Sequence, residues 1–488
     1  MAELVDALAS EPRTSWCESS NLSSVTNFKN TIMNNKFLID MPPPTISGKL
    51  HMGHAFSYTQ MDFLARYHHM KGKELIYPFG YDNNGIPTEK FAYKKGIRDN
   101  SEIIKLSNET SELYLKFFES INMGFSNHRY NTFDELSKQI ATLSFNDLKE
   151  KGLIYKAKEN YFYCSKCNKS IPNSEIENNK HIRDGGDIIE KEGEGWFIRT
   201  MDYKKEIKEQ IEKIEWKPEK FKIRLLNWID DMDRDWSIAR MRDYGIEIPG
   251  EPHLKFDTWF TSSLSPQLAW ASHTGIASLE CPIFDLRFQA HDIITTWALY
   301  TIIKSYFHNN QIPWKKIIIT GHALDKDLEK ISKSKEEDKT PKQKKTLTPE
   351  YCIQQYGGEG IRYWSTQNQI GNDTLIDEDT MKNCKKLMIK IKNAGKFIEF
   401  QKKNNWLGYS EAKELEWADK KKEIEAHFEQ GEWPKAYQEL FDFFWKKFCD
   451  IFIEESKKES CSLSLEKILN EMMSYWEIYF PNIKEKIQ

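Results

Sequence analysis

The apolar positions of this chain fall into short runs cut off by Pro or Gly, alternating with longer stretches of helical period. Lys36-Phe37-Leu38-Ile39-Asp40-Met41 runs into Pro42-Pro43-Pro44, which reads as a buried strand stopped at its end. Beyond Gly48, the residues Phe56, Phe63, Tyr67 and Met70 recur on one helix face, and Gly72 closes that helix. Glu74 to Phe79 is a second short strand, ending at Gly80-Tyr81-Asp82. Strand, helix and strand together predict a parallel unit. A second unit follows: a strand from Ile283 to Arg287, a helical segment from Asp292 to His308 and an apolar strand from Lys316 to Gly321. Between the two units, residues 100–150 and 201–230 read as helix, Asp257 to Phe260 as β-like, and Tyr161 to Trp196 as loop-rich. From about residue 350 to 488 the period is helical. No repeat of fixed length occurs. The expected class is α/β with a parallel sheet.

Composition narrows the function classes. The 488 residues correspond to roughly three domains at about 150 residues each. Lys plus Arg is 70 and Asp plus Glu is 74, a net charge of −4. That excludes a globally basic nucleic-acid coat and an acidic solvating chain, so any RNA-binding face must be local. Eight irregularly spaced cysteines are no disulfide framework and point to a reducing compartment. The first residues carry Glu3, Asp6 and Glu11 and lack the pattern of a signal peptide. No run of 18 apolar residues is present, so no membrane partner is expected. A cytoplasmic protein is the expectation.

Two motifs carry chemistry. Leu50-His51-Met52-Gly53-His54 opens a helix directly after the first strand and its loop. A helix N-terminus presents unpaired N–H groups and the positive end of its dipole. His51 and His54 share one side of the first turn and can donate to phosphate oxygens, while Gly53 allows close approach to the backbone. A His pair at this spacing also suits a metal. Lys330-Ile331-Ser332-Lys333-Ser334 follows the strand at 316–321 and suits a polyphosphate, although a lone lysine cluster is more often a solvated charge run. Each motif lies after a parallel strand, where open α/β sheets bind ligands. No GxxxxGK[ST] is present.

HxGH followed by KxSKS resembles the signature of class I aminoacyl-tRNA synthetases. The surrounding blocks resemble the valyl branch: Pro42 to Gly48, Gly80 to Glu89, Asp257 to Leu264, Asp285 to Ile294, Gly321 to Asp325, Tyr356-Gly357 with Ile361 to Trp364, and Phe443 to Asp450. The resemblance runs from about residue 36 to near the end, in the family's order. It implies activation of L-valine with ATP and Mg²⁺, then transfer to the 3′ end of tRNA(Val), by a monomer. His51, His54, Lys330 and Lys333 would be the catalytic residues, stabilising charge on the phosphates. Gly53, Gly321, His322, Asp325, Ser332 and Ser334 would bind ATP. Asp82 would hold the α-ammonium, and Pro43, Thr45, Trp259 and Ile293 would line a small apolar pocket. Asp82 as a capping residue, and Trp259 and Ile293 as plain core, are the competing readings.

The resemblance also implies boundaries. Residues 1–35 are a leader. Residues 36–150 and 251–335 are the two halves of a Rossmann-type catalytic domain, split by a reduced insertion at 151–250. Residues 336–380 are a linker, and 381–488 an all-α, anticodon-binding-like domain. Cys164-Ser165-Lys166-Cys167 is half of a zinc knuckle, Cys164 and Cys167, with no second CxxC. Zn²⁺ binding stays open beside a knuckle that has lost its metal. Asp184-Gly185-Gly186 leads within about ten residues to Trp196-Phe197, too short a stretch for a folded domain, so no hydrolytic editing domain is expected there. Trp236 to Arg242 departs from the family's ISRQR at Ala239 and Met241, and residues 335–349 form a lysine-rich mobile loop. The candidate tRNA-binding residues are Arg240 and Lys382, Lys385 and Lys386, the last three on a helix with Leu387, Ile391 and Phe397 turned inward. Two alternatives stay open: a relative supplying an activated amino acid to a non-translational pathway, and a non-catalytic tRNA-binding protein.

Overall fold

The computed structural model describes residues 35–166, 169–171, 176–181, 185–331 and 348–487. Strand β1 (Lys36–Asp40) leads through α1 (Met52–Met70) to β2 (Glu74–Ile76). β3 (Pro78–Tyr81) follows, then α2 (Asn100–Ser120), β4 (Ser126–Asn131) and α3 (Glu135–Glu150). β5 (Ile154–Cys164) and β6 (Ile188–Ile198) pair antiparallel along their whole length. β7 (Glu215–Lys217), the short α4 (Thr258–Ser262), β8 (Phe284–Ala290), α5 (Leu299–Asn309) and β9 (Trp314–Thr320) complete the first part of the chain. α6 (Pro349–Thr366) and α7 (Glu378–Lys403) open a helical region that reaches Ile487.

The central sheet has the order β7-β9-β8-β1-β2, and every neighbouring pair is parallel. Successive residues of a strand point to opposite faces, and here both faces are covered. Leu38, Ile317 and Ile319 enter one core, with Ile140 of α3 and Ile302 of α5. Ile39, Phe288 and Ile318 enter another, with Phe56 of α1 and Trp433 and Trp476 of the helical region. This double burial explains why the strands read as continuous apolar runs. Within the sheet, Arg287 and Asp40 form a fully buried pair at 2.7 Å, and Trp314 Nε1 donates to the same carboxylate at 2.7 Å. A second buried pair, Arg362 with Asp62 at 2.8 Å, ties α6 to α1. Arg362 Nε also donates to the Tyr479 carbonyl at 2.6 Å, so the helical region is clamped onto the sheet-covering helix.

The helix over 52–70 buries Phe56, Phe63 and Tyr67 and leaves Met70 half-buried, and Gly72 follows with φ of 84°. Four expectations are corrected. Of the stretch from Tyr161 to Trp196, Tyr161–Cys164 and Ile188–Trp196 belong to a long antiparallel hairpin, whose exposed polar positions hide the strand signal. Glu74 to Phe79 is two strands, and β3 pairs with β4 instead of joining the central sheet. Asp257 to Phe260 is not β-like: Asp257 caps α4 by accepting the Trp259 N–H at 3.1 Å, just after a strand at Glu251–Phe256. Residues 201–230 are interrupted by β7, too short for a periodicity signal, which forms the sheet's edge. On α7 the buried stripe includes Leu387, Ile391 and Ile398, while Phe397 is half-buried.

Candidate active site

From β1 the chain crosses over to β2 on one side; from β8 it crosses to β9 on the other. The carboxyl ends of β1 and β8 therefore diverge, the place where such sheets open a crevice. A cavity of about 310 Å³ lies there. Its walls come from Met41 to Thr45 after β1, the start of α1, Gln289 and Ala290 at the end of β8 with Asp292 and Ile293 just beyond it, Gly321 to Ala323 after β9, and Lys330.

His51 and His54 form the floor. His51 is the N-cap of α1, and its Nδ1 accepts the Gly53 N–H at 3.1 Å. His54 Nδ1 accepts the His51 N–H at 3.2 Å. This is a reciprocal capping box built from two imidazoles where Ser and Glu are usual. With both Nδ1 atoms acting as acceptors, the neutral rings carry their protons on Nε2. The first turn has no acidic residue, so the positive end of the dipole is not quenched. Gly53 has a reason beyond ligand approach: a Cβ there would come within 2.9 Å of the His51 ring.

Lys330 faces this floor and forms an ion pair with Asp292. Burial works to raise the Asp292 carboxyl, but the Lys330 ammonium wins and holds it below the ordinary range. Ser332, Lys333 and Ser334, with the lysine-rich stretch after them, lie outside the described residues. His322 lines the cavity, and burial pushes its imidazole down to about 4, so it is neutral. Its backbone N–H donates to Asp373 at 2.7 Å. Gly321 is needed for packing, since a Cβ would lie 1.9 Å from the Asn372 carbonyl oxygen. Asp325 does not line the cavity; its Oδ1 accepts the backbone N–H groups of Asp327 and Glu329, each at 3.0 Å, and holds the turn that leads to Lys330.

Pro43, Thr45, Trp259 and Ile293 meet at the other end of the cavity. Trp297 joins them, edge-on to Trp259 at 5.5 Å. Asp82 stands behind Thr45. The Asp82 N–H donates to the Pro44 carbonyl at 3.0 Å, and the Ile46 N–H to the Asp82 carbonyl at 2.9 Å. The Asp82 carboxylate accepts the Thr132 hydroxyl at 2.6 Å. Burial raises its pKa to about 7, against the hydrogen bonds from Thr132 and the Asn84 backbone. The Asp82 side chain is enclosed behind the cavity wall and does not line the cavity, and among the described residues no cation forms an ion pair with it. The capping reading does not hold for its side chain, because Gly85, not Asp82, precedes the next helix. Sequence reasoning missed Asp292 and Trp297, although one block of the resemblance ends just past the first and stops three residues short of the second. It also missed Thr132, which carries no motif.

The remaining candidates lie apart from the cavity. Arg240 pairs with Asp257 at 3.2 Å in a neighbouring cleft that shares the Trp259 wall. Lys382 pairs with Asp379 at 2.9 Å, and Lys385 and Lys386 are exposed on α7. Cys164 is buried against Ile171 and Ile188, and Cys167 lies outside the described residues. Among the described residues no group of three or more His, Cys, Asp or Glu side chains is arranged to hold a metal. Nor is any of their helices long and apolar enough to cross a membrane.

The chain is similar to known proteins in both sequence and fold. The profile of the family described as tRNA synthetases class I (I, L, M and V) matches residues 13–250 and 253–377. The chain is 27% identical to a valine--tRNA ligase of Rickettsia prowazekii, over 92% of this chain and 83% of that protein. It is also 27% identical to one from Ehrlichia ruminantium, over 87% of this chain and 77% of the relative. The alignment with the Rickettsia protein runs over 691 positions against 488 residues here, so a large block of that relative has no counterpart in this chain. Among solved structures, Agrobacterium radiobacter K84 agnB2 LeuRS in its complex with tRNA and LeuAMS superposes with a TM-score of 0.76 at 14% identity, covering 94% of this chain and 87% of that one. Mycobacterium tuberculosis methionyl-tRNA synthetase bound by methionyl-adenylate gives 0.69 at 18% identity, covering 91% and 90%. At these identities the two structures establish the fold.

Proposed function

The chain belongs to the class I tRNA synthetase family, and we propose that within it this enzyme activates L-valine with ATP and transfers the valyl group to the 3′ end of tRNA(Val), without hydrolytic editing. The observation that carries the reading is the convergence on one cavity of the imidazole-capped N-terminus of α1, the Lys330–Asp292 pair and the small apolar wall of Pro43, Ile293, Trp259 and Trp297. The valine carboxylate attacks the α-phosphorus of ATP, an adenylate forms and pyrophosphate leaves. Such a step needs positioning and charge stabilisation more than covalent help. The Nε2–H groups of His51 and His54 and the N-terminus of α1 supply donors to the phosphate oxygens. Lys330, with Lys333 on the stretch that follows, neutralises the departing pyrophosphate. Asp82 takes the α-ammonium, and Gly321 and His322 line the side where the adenosine lies.

The donor set does not fit a protein-held Mg²⁺ among the described residues, so the ion would arrive on the ATP phosphates. Cys167, the second cysteine of the knuckle, lies outside the described residues, and among the described residues no zinc-binding group is formed. The absence of editing is supported by the β5–β6 hairpin: the chain leaves it at Cys164 and re-enters at Ile188, too short a connection for a folded domain. The transfer step is tested by charging tRNA(Val) with labelled valine. Valyl-tRNA that accumulates and stays labile at its ester supports the reading; adenylate formation without tRNA charging rejects it.

A further inference from the structure

The segment after β6 packs against the Asp82–Gly85 turn. Arg240 on it points to the neighbouring cleft, whereas Arg242, 7% exposed, points inward. Arg242 Nη2 donates to the Phe256 carbonyl at 2.7 Å, while Nε and Nη1 have no hydrogen-bond partner among the described residues. The guanidinium lies against Gly85. A Cβ at Gly85 would come within 2.9 Å of both Nη atoms and 2.1 Å of Thr258 Oγ1, and Gly85 has φ of 106°. Only glycine lets the Asp82–Gly85 turn fit under the arginine. Two further bonds from the same segment hold that turn. The Tyr244 hydroxyl donates to the Asn83 carbonyl at 2.8 Å, and the Ile246 N–H donates to Asn84 Oδ1 at 3.1 Å.

Burying a guanidinium with donors left over is unfavourable, and an apolar side chain of similar bulk would avoid the penalty. What the charge faces accounts for it. Asp82 is completely enclosed, with Asp257 acting to raise its pKa and Arg242 to lower it. Burial lowers the pKa of Arg242 itself, while Asp257 and Glu89 support its charge and Arg240 opposes it. Tyr130 and Tyr244 are the other titratable groups within the field of Asp82, and burial keeps both protonated.

We propose that Arg242 is a positioning residue for the amino acid: packed against Gly85, it helps hold the Asp82–Gly85 turn, and its charge offsets part of the cost of ionising the buried Asp82 carboxylate that receives the substrate ammonium. The inference rests on the reading of Asp82 as the ammonium-binding group. The test uses the full chain and valine-dependent ATP–pyrophosphate exchange across pH, with Arg242→Leu, Arg242→Lys and Asp82→Asn in parallel. Arg242→Leu is expected to raise KM for valine by roughly tenfold or more while leaving KM for ATP near the parent value. It should also move the acidic limb of kcat/KM for valine to higher pH, with a melting temperature no lower than the parent's. Arg242→Lys, which returns the charge, should bring that limb back. An Arg242→Leu enzyme with parental KM for valine and an unmoved limb overturns the inference. So does an equal loss of valine and ATP affinity with a lowered melting temperature, the mark of a purely structural residue. If Asp82→Asn loses valine affinity and Arg242→Leu does not, the inference alone falls. If Asp82→Asn binds valine like the parent, the reading of Asp82 falls first and takes the inference with it.

Discussion

His51 and His54 cap one helix by exchanging backbone bonds: His51 Nδ1 accepts the amide two residues on at 3.1 Å, and His54 Nδ1 accepts the His51 amide at 3.2 Å. The cap and the phosphate donors are thus the same two rings, used through different nitrogens. His51→Asn keeps an acceptor for the cap and removes the Nε2–H. It should fold within about 1 kcal/mol of the parent and lose about 10²- to 10³-fold in the rate of activation. Single-turnover adenylate formation beside a thermal melt checks both halves.

Asp82 couples the site to pH. Its folded pKa, raised to about 7 by burial, lies above that of a free carboxyl. Its contribution to stability is therefore present below the free value and is lost as pH rises through 7. Asp82→Asn should be more stable than the parent at pH 8, with the gap closing toward pH 4. Melting curves of the substrate-free pair across that range check the sign; a gap that widens toward acid would reverse it.

Gly321 joins β9 to the cavity with no room for a side chain. Gly321→Ala places a Cβ 1.9 Å from the Asn372 carbonyl oxygen, so the strand at Thr374–Leu375 that pairs with Ala323–Leu324 must shift. A loss of about 1–3 kcal/mol is expected, with a higher KM for ATP. Urea unfolding and ATP titration measure the two effects.

Exposed Lys385 and Lys386 on α7 should act on tRNA alone. Reversing both to Glu is expected to leave ATP–pyrophosphate exchange unchanged and to weaken charging at low tRNA concentration. The slope of log K against log salt should become shallower by about one for each phosphate that a lysine no longer neutralises.

The sequence shows the parallel units, because strands buried on both faces are continuously apolar, and it shows His51, His54 and Lys330, because their spacing is tied to strand ends. It does not show β7, three residues long, or the hairpin of β5 and β6, whose polar face resembles a loop. Nor does it show the ionic state of Asp82, which depends on Thr132 and Arg242 from distant segments. Arg242 illustrates the limit: in sequence it is one of two arginines two residues apart in a stretch suggestive of tRNA binding, yet only Arg240 faces a cleft. The other is turned inward, against Gly85.

A pocket walled by Pro43, Ile293 and Trp259 cannot separate valine from isosteric threonine by more than about 10²-fold, the discrimination already known for a valyl pocket before editing. If, as proposed, the chain does no editing, Thr-tRNA(Val) should accumulate in prolonged reactions of the purified enzyme. Thr-tRNA held at background with no added factor would mean that a hydrolytic site exists elsewhere in the chain.

The most direct measurement of the central claim is ATP–pyrophosphate exchange driven in turn by each of the twenty amino acids. A maximum at valine, with threonine and isoleucine well below it and no exchange without an amino acid, is the predicted result. Exchange that peaks at another amino acid, or none with any of them, would contradict the account.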